Sequence, residues 1–325
     1  MKAVVYKLFF VSKLFILATF LSACMQTTPA EIESLKPVTL KIAVLPILEA
    51  LPMYVAQQEG LFEKHGLNVE FVAVASAPER DQVIAAGQAD GMINELTSTM
   101  FYNKDQPQVK IVRYARTATP EQALFRILAS GESGINNVDG LKGARIGISQ
   151  GTVIEYLTDR LLQSQGFTAE EINTVSVPKI PDRMALLENG ELDAGMLPEP
   201  LSSLAVLQGS RAVLDDTSLP EISFSTLTFR NEVLEQNPEA VRGFLAAVEE
   251  STAQINNNPT KWIPLLVEYN LVPQPLLQSF KIPEFAEAGI PTEAQWNDVL
   301  DWANEKGFLD KEVSYQESVS PDYLP

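Results

Sequence analysis

The 325-residue chain contains one cysteine and one histidine, so it has little of the chemistry used in disulfides, metal sites and base catalysis. With one cysteine, no disulfide can form within the chain, and its stability must come from the hydrophobic core. These two residues do not supply the ligand set of a transition-metal site, and we expect no metal and no cofactor. The histidine, His65, precedes a predicted strand, and we interpret it as an exposed turn residue. The patterns Gly-x-x-x-x-Gly-Lys and His-Glu-x-x-His are absent, and we predict no catalytic residues.

Basic residues are also few: 24 Lys and Arg stand against 42 Asp and Glu, and the formal net charge is -18. A field of this sign repels phosphate backbones, so we expect no nucleic-acid partner. The length is sufficient for two lobes, each with its own hydrophobic core.

The first residues have the layout of a secretory signal. Lys2, Lys7 and Lys13 precede an apolar run at 14–20, which is far shorter than the ~20 residues needed to cross a bilayer. Leu21-Ser22-Ala23-Cys24 then resembles the lipobox of bacterial lipoproteins. That resemblance implies a signal peptide at 1–23, lipid on Cys24 and a polar tether at 24–37. We therefore expect an exported protein, anchored through lipid to the outer face of the cell membrane or in the periplasm.

Two later stretches share one β-α-β-α-β layout. Gly87 and Gly190 are 103 residues apart, and so are Asp90 and Asp193; each glycine ends a predicted helix and each aspartate leads into a strand. The repeat predicts two mostly parallel sheets flanked by helices. The predicted strands are 41–45, 68–74 and 91–93 in the first stretch, and 144–148, 174–177 and 194–197 in the second.

The remaining segments predict how the two units are joined. We interpret 109–128 and 224–230 as crossings between lobes, and the chain after 237 as helical, with a Thr-x-x-Gln capping box at 292–295. The predicted first lobe comprises 38–127 and a helical part, 229–325; the predicted second lobe comprises 128–228.

Several motifs, in this order and spacing, resemble the NMT1/THI5-like group of periplasmic binding proteins, which includes sulfonate, nitrate and thiamine-precursor binders. They are Leu51-Pro52-Met53-Tyr54-Val55-Ala56, Glu59-Gly60-Leu61-Phe62, Gly66-Leu67-Asn68-Val69-Glu70, Ala86-Gly87-Gln88-Ala89-Asp90, Leu141-Lys142-Gly143-Ala144-Arg145-Ile146-Gly147, Gly190-Glu191-Leu192-Asp193-Ala194 and Asn237-Pro238-Glu239. The resemblance implies an α/β fold of the two-lobed type II periplasmic-binding-protein class, hinged by the crossing segments. It also implies the solute-binding role of an ABC import system, with permease and ATPase subunits as partners; we expect a monomer. The alternatives are an enzyme of the same clamp fold acting on a small organic acid, and a ligand-sensing module.

Ligands of open α/β sheets bind beyond the carboxyl ends of strands, where helix N-termini offer free N–H groups. That rule selects four loops, 46–50, 94–98, 149–152 and 198–200. The candidate ligand-binding residues are Glu49, Ala50, Asn94, Glu95, Thr97, Gln150, Gly151, Thr152, Pro198 and Glu199. Their three carboxylates favour a donor-rich heterocycle or an amine over a sulfonate or nitrate.

Other interpretations of these residues remain open. The glutamates can instead complement helix dipoles, a contribution of ~0.3–1 kcal/mol each. Arg113, Arg116 or Arg183 can hold an anion through a planar fork, or form structural ion pairs. Four aromatic side chains can stack on a flat ligand or pack in the core: Tyr54, Phe101, Tyr102 and Tyr156.

Overall fold

The computed structural model of the protein describes residues 37–325, so the predicted signal peptide, most of the tether and Cys24 lie outside the described residues. The strands are β1 (Val38–Val44), β2 (Leu67–Ala73), β3 (Gly91–Asn94), β4 (Val109–Thr117), β5 (Phe125–Ala129), β6 (Arg145–Ile148), β7 (Asn173–Ser176), β8 (Ala194–Pro198), β9 (Arg211–Asp215) and β10 (Phe224–Arg230). The helices are α1 (Leu51–Gln58), α2 (Leu61–Lys64), α3 (Ala77–Ala85), α4 (Leu96–Asn103), α5 (Val153–Ser164), α6 (Ile180–Glu188), α7 (Leu201–Leu207), α8 (Asn231–Gln236), α9 (Pro238–Asn257), α10 (Ile263–Glu268), α11 (Glu293–Glu305) and α12 (Tyr315–Ser318). None of these helices is long and apolar enough to cross a bilayer.

The strands form two five-stranded sheets with the same layout, in the orders β2-β1-β3-β10-β4 and β7-β6-β8-β5-β9. In each sheet one strand runs against the other four: β10 in the first and β5 in the second. That strand is the one the chain enters after crossing between lobes. The prediction of two lobes, each a mostly parallel sheet flanked by helices, is confirmed.

The repeated aspartates fix the first strand of each unit in the same way. The Asp90 carboxylate accepts a hydrogen bond from the backbone N–H of Lys41 at 2.8 Å, and the Asp193 carboxylate accepts one from the N–H of Arg145 at 2.8 Å. The glycine before each aspartate has a positive φ, as expected where a helix ends. The sequence repeat is therefore a structural repeat, built from equivalent hydrogen bonds.

The chain changes lobes at bounds that differ from the predicted ones. The predicted changes at 127/128 and 228/229 fall inside β5 and β10, whereas all of β5 pairs in the second sheet and all of β10 pairs in the first. A ladder of backbone hydrogen bonds keeps each strand in one sheet, so the crossings are the short segments 118–124 and 216–223. These two segments touch, since the N–H of Ala118 donates to the carbonyl of Ser223 at 2.9 Å.

The C-terminal part is divided between the lobes. Helices α8, α9 and α10 pack on the first lobe, where Val241, Phe244 and Trp262 join its core. Helix α11 begins with the predicted capping box and contacts α5 of the second lobe through a hydrogen bond of Trp302. Residues 277–292 contain no helix, contrary to the expectation that this part is helical throughout.

Candidate functional site

A cavity lies between the lobes, where the carboxyl ends of β1, β3, β6 and β8 meet. Leu45 follows β1, Asn94 ends β3, Ser149 follows β6 and Pro198 ends β8, and all four line the cavity. The volume open to the centres of water molecules is about 80 Å³, well above the ~10–15 Å³ that one ordered water needs. The cavity thus has room for part of a small solute.

Five of the ten predicted ligand-binding residues line this cavity: Glu49, Asn94, Glu95, Thr152 and Pro198. The other five, Ala50, Thr97, Gln150, Gly151 and Glu199, are not among its lining residues. Physical reasons are visible in their contacts. Ala50 is buried in the core beside α1, Gln150 is exposed to solvent, and the N–H of Gly151 donates to Glu155 at 2.8 Å.

Glu95 lines the cavity, but the protein already satisfies its carboxylate. It caps α4 by accepting from the N–H of Ser98 at 3.1 Å, and it also accepts from the Thr97 hydroxyl. Arg80 approaches it, with Nη2 3.4 Å from Oε1. Burial raises the pKa of Glu95, although Arg80 opposes that rise. This carboxylate therefore acts as a helix cap and ion-pair partner.

Glu199 is also bound by protein groups. Its Oε1 lies 2.8 Å from Nη1 of Arg126, and the hydroxyls of Ser202 and Ser203 donate to its two oxygens. The carboxylate precedes α7 and accepts these hydrogen bonds from two serines in the first turn of that helix. Two of the three glutamates on which the preference for a cationic ligand rested thus have partners within the chain.

Glu49 is the remaining carboxylate, and it is different. It is 6% exposed, it lines the cavity, and its Oε2 has no hydrogen-bond partner. Burial raises its pKa, and the nearby Arg116 guanidinium opposes the rise. Arg116 itself is buried, with Nη1 lacking a partner, and burial lowers its pKa. Arg116 is not among the residues that line the cavity.

The other two candidate arginines differ in their partners: one forms an ion pair within the first lobe, and the other forms none with the described residues. Arg113 is used by the first lobe: its Nη2 lies 2.6 Å from Oε2 of Glu249 and 2.9 Å from the carbonyl of Ala286. Arg183 lines the cavity and is 0% exposed. Its Nε donates to the carbonyl of Met196 at 2.8 Å and its Nη1 to that of Val177 at 2.7 Å, but Nη2 has no partner.

Burial lowers the pKa of Arg183 to about 10, so the guanidinium stays protonated at neutral pH. Among residues 37–325, no carboxylate oxygen lies within 4.0 Å of the Arg183 guanidinium, so Arg183 forms no ion pair there. The residues that line the cavity therefore include a buried cation without a counter-charge from this part of the chain.

Sequence reasoning missed Arg80 and Ser225, which also line the cavity, and it selected the loop of Ser149 without naming that residue as a candidate. The signal for Arg80 was present: Ala-Pro-Glu-Arg ends at Arg80 and Ile-Pro-Asp-Arg ends at Arg183, 103 residues later. The aromatic walls were missed too, since Phe125 and Phe224 line the cavity. None of the four aromatic candidates does; Tyr54, for example, stacks on Tyr269 at a ring-centroid distance of 3.7 Å.

Ser149 lies within Gly147-Ile148-Ser149-Gln150-Gly151, which has the spelling of a nucleophile elbow between a strand and a helix. Such a serine needs a base, and its buried hydroxyl has no hydrogen-bond partner here. The single histidine, His65, is exposed beside Gly243 on the first lobe. In the part of the chain that the structure describes, no group of three or more His, Cys, Asp or Glu residues is arranged to hold a metal.

Comparison with solved structures identifies the fold. A ligand-binding component of an ABC-type import system from Staphylococcus aureus superposes with a TM-score of 0.74, at 15% identity, over 88% of this chain and 97% of that one. A desulfurization enzyme, DSZB, superposes with a TM-score of 0.68, at 14% identity, over 88% of this chain and 97% of its own. The fold is that of the periplasmic binding proteins, and it carries both binders and enzymes.

Sequence comparison places the chain within this fold. A protein of Brucella abortus (strain 2308) named as a binding protein is 22% identical over 66% of each chain, so the match spans just under two thirds of that relative. A protein of Escherichia coli (strain K12) named as an aliphatic sulfonates-binding protein is 28% identical over 51% of this chain and 52% of its own. The profile of the family described as NMT1/THI5 like matches residues 48–262, more than half of the sequence. The chain therefore belongs to the NMT1/THI5-like family.

Proposed function

We propose that this protein is the extracytoplasmic solute-binding component of an ABC-type import system. It captures a small polar molecule between its two lobes and delivers it to a membrane permease with its ATPase subunits. The family, the fold and the inter-lobe cavity all support this role, and the cavity carries the argument.

The observation that carries the proposal is a set of buried polar atoms without partners around one cavity. They are Oε2 of Glu49, Oδ1 of Asn94, Oγ of Ser149, Oγ of Ser225 and Nη2 of Arg183. A buried polar group without a partner costs about 1–3 kcal/mol. A ligand that satisfies atoms of both lobes stabilises the closed arrangement, and its loss favours opening about the crossings.

A binding role fits these residues better than catalysis. A desulfurization enzyme shares this fold, but the buried hydroxyl of Ser149 has no hydrogen-bond partner that could act as its base. Glu95 is occupied by a helix cap and by Arg80. We therefore propose a non-catalytic role for the cavity.

Closure is tested with purified protein and a panel of sulfonates, nitrate, amino acids, pyrimidines and thiamine. A ligand at 100 times its Kd adds ~2.7 kcal/mol to the unfolding free energy, and it should reduce the radius of gyration measured by X-ray scattering. Ala77→Trp fills the cavity wall and should abolish both effects, whereas Ala185→Trp, on the exposed face of α6, should preserve them. Ligand binding that survives Ala77→Trp unchanged would place the site elsewhere.

We also propose export and lipid anchoring through Cys24, from the Leu-Ser-Ala-Cys sequence. Cys24→Ser should move the protein from the membrane fraction to the soluble fraction, because the lipid is attached through the thiol. Thr27→Ser, three residues later, is the matched control and should stay membrane-bound. Membrane attachment of the Cys24→Ser variant equal to the control contradicts the anchor.

A further inference from the structure

The two arginines that line the cavity occupy equivalent places in the two repeats. Arg80 is on α3 and Arg183 on α6, 103 residues apart, and both are buried. Each donates to the carbonyl of the equivalent strand residue: Arg80 to Ile93 at 3.3 Å, and Arg183 to Met196 at 2.8 Å. The fold thus places one arginine from each lobe in the lining of the same cavity.

The two arginines differ in their counter-charges. Nε of Arg80 lies 2.8 Å from the Asp81 carboxylate, and Nη2 lies 3.4 Å from that of Glu95. Although burial lowers the pKa of Arg80, these two carboxylates raise it above its usual value. The repeat-equivalent positions in the second lobe are Met184 and Pro198, which carry no charge. The second repeat therefore contains the arginine but neither of the two acidic residues that accompany it in the first repeat.

Arg183 is held rigidly with one nitrogen free. Its side-chain stem passes close to Gly147, where an added Cβ would lie 3.2 Å from Cγ. Two carbonyls hold Nε and Nη1, and Nη2 is the guanidinium nitrogen without any partner. A buried charge is costly unless an opposite charge or hydrogen bonds compensate it, and a fixed guanidinium suits a planar or tetrahedral oxyanion.

The facing wall has the opposite polarity. On the first lobe, the partnerless atoms Oε2 of Glu49 and Oδ1 of Asn94 are hydrogen-bond acceptors. One N–H of the Asn94 amide is already used, since it donates to Thr99 at 2.9 Å. The first-lobe wall can therefore accept hydrogen bonds from a donor group of the ligand, whereas Arg183 on the second-lobe wall can bind an anionic group.

We propose that the ligand is a small bipolar molecule: its carboxylate or sulfonate group binds Arg183, and its amine or amide group donates to Glu49 and Asn94. The inference rests on the proposed function and names the ligand class of the same cavity. It differs from the sequence-based preference for a donor-rich ligand in adding an anionic group.

The first test leaves the protein unchanged and varies the charge of the ligand. Isothermal titration calorimetry compares taurine with ethanesulfonate, and β-alanine with propionate; ethanolamine supplies the amine alone. At least one bipolar probe should bind about tenfold or more tighter than its single-charge analogue, which is the worth of one charge-assisted hydrogen bond. Equal binding within both pairs, taurine with ethanesulfonate and β-alanine with propionate, overturns the bipolar inference. So does the tightest binding by ethanolamine.

The second test restores the missing acid without touching the arginine. Met184→Asp places a carboxylate where the first repeat has Asp81, and Met184→Asn is its uncharged control. Met184→Asp should weaken the best bipolar probe about tenfold to a hundredfold by neutralising Arg183, and Met184→Asn should change it little.

The outcomes separate this inference from the proposed function. If a probe binds and closes the lobes but has equal affinity for Met184→Asp and Met184→Asn, the binding role stands and the assignment to Arg183 is overturned. If no molecule of the panel or of these five probes binds, both are overturned. Melting temperatures of the unliganded variants show whether each one is folded.

Discussion

Asp216 lies in the second crossing and should make the stability of the hinge depend on pH. It is 0% exposed, and its carboxylate accepts from the N–H groups of Leu124 and Phe125, each at 3.0 Å, and from the Ser223 hydroxyl. It therefore ties the second crossing to the end of the first. Burial raises the pKa of Asp216 from 3.8 to about 6, although these hydrogen bonds oppose the rise.

The sign of the effect follows from which state binds the proton more tightly. Because the folded pKa lies above the unfolded one, the contribution is fully present below the unfolded pKa and is lost as pH rises through about 6. A shift of roughly two units corresponds to about 3 kcal/mol. Urea unfolding of the wild type and of Asp216→Asn between pH 4 and pH 7 measures it, since Asn keeps an acceptor but cannot ionise.

The unfolding free energy of the wild type relative to Asp216→Asn should fall by about 2 kcal/mol over this range, because part of the full effect lies outside it. Asp105→Asn is a control of opposite sign, because a hydrogen bond from Lys311 lowers the pKa of the exposed Asp105. Relative to that variant, the wild type should lose no stability between pH 4 and pH 7, because the contribution of a carboxyl with a lowered pKa is lost only at lower pH. A difference between the wild type and Asp216→Asn that is constant or grows with pH refutes the reasoning.

Three further substitutions test the packing around the site by urea unfolding. Gly147→Ala should cost about 1–3 kcal/mol, because the added Cβ would overlap a Leu192 methyl; an unchanged midpoint would mean that the strand shifts freely. Arg113→Gln breaks an ion pair whose arginine is buried and whose Glu249 is 30% exposed, and it should cost about 1–3 kcal/mol while leaving the Kd of bound probes unchanged. Trp302→Phe removes the donor to Asp159 and should cost about 1–3 kcal/mol; a neutral result would assign that carboxylate to its lysine partner alone.

Much of the fold was predictable because the signals were local and occurred twice. Gly87 and Gly190 end helices with positive φ, and Asp90 and Asp193 each bind the backbone of a neighbouring strand. Because the same signals occur in both repeats, the prediction for one repeat supports the prediction for the other. The sheet to which β5 and β10 belong was not predictable from local pattern. A short apolar strand reads the same in either sheet, and its pairing is decided by contacts distant in sequence.

The position of the cavity was predictable, but the pairing of its charges was not. The strand-end rule selected Glu49, Asn94 and Glu95, and all three line one cavity; that they bind a ligand stays a prediction. It could not show that Glu199 is bound by Arg126, because that pair forms across two strands and a loop. Which charge is free depends on such three-dimensional pairing, and this moved the emphasis from the glutamates to Arg183.

Helix α11 adds a third link between the lobes, beside the two crossings. At its first turn, the Gln295 amide donates to the carbonyl of Glu221 in the second crossing at 2.6 Å and accepts from the Tyr114 hydroxyl at 3.0 Å. At its last turn, Nε1 of Trp302 donates to Asp159 of α5 at 2.8 Å. The helix thus starts at the hinge and ends on the second lobe.

After α11 the chain returns to the first lobe, where the Asn103 amide donates to the hydroxyl of Ser318 in α12 at 2.9 Å. Gly307, with φ of 72°, lies between these two attachments. Helix α11 also packs on α4 of the first lobe, where Met100 and Trp302 belong to one hydrophobic cluster. Because α11 contacts both lobes and α12 the first, opening of the cleft must loosen α11 from one lobe or change backbone torsions beside it. Glycine accepts positive and negative φ at little cost, so the turn at Gly307 can absorb part of that change. The amplitude of opening is then set by three connections rather than two.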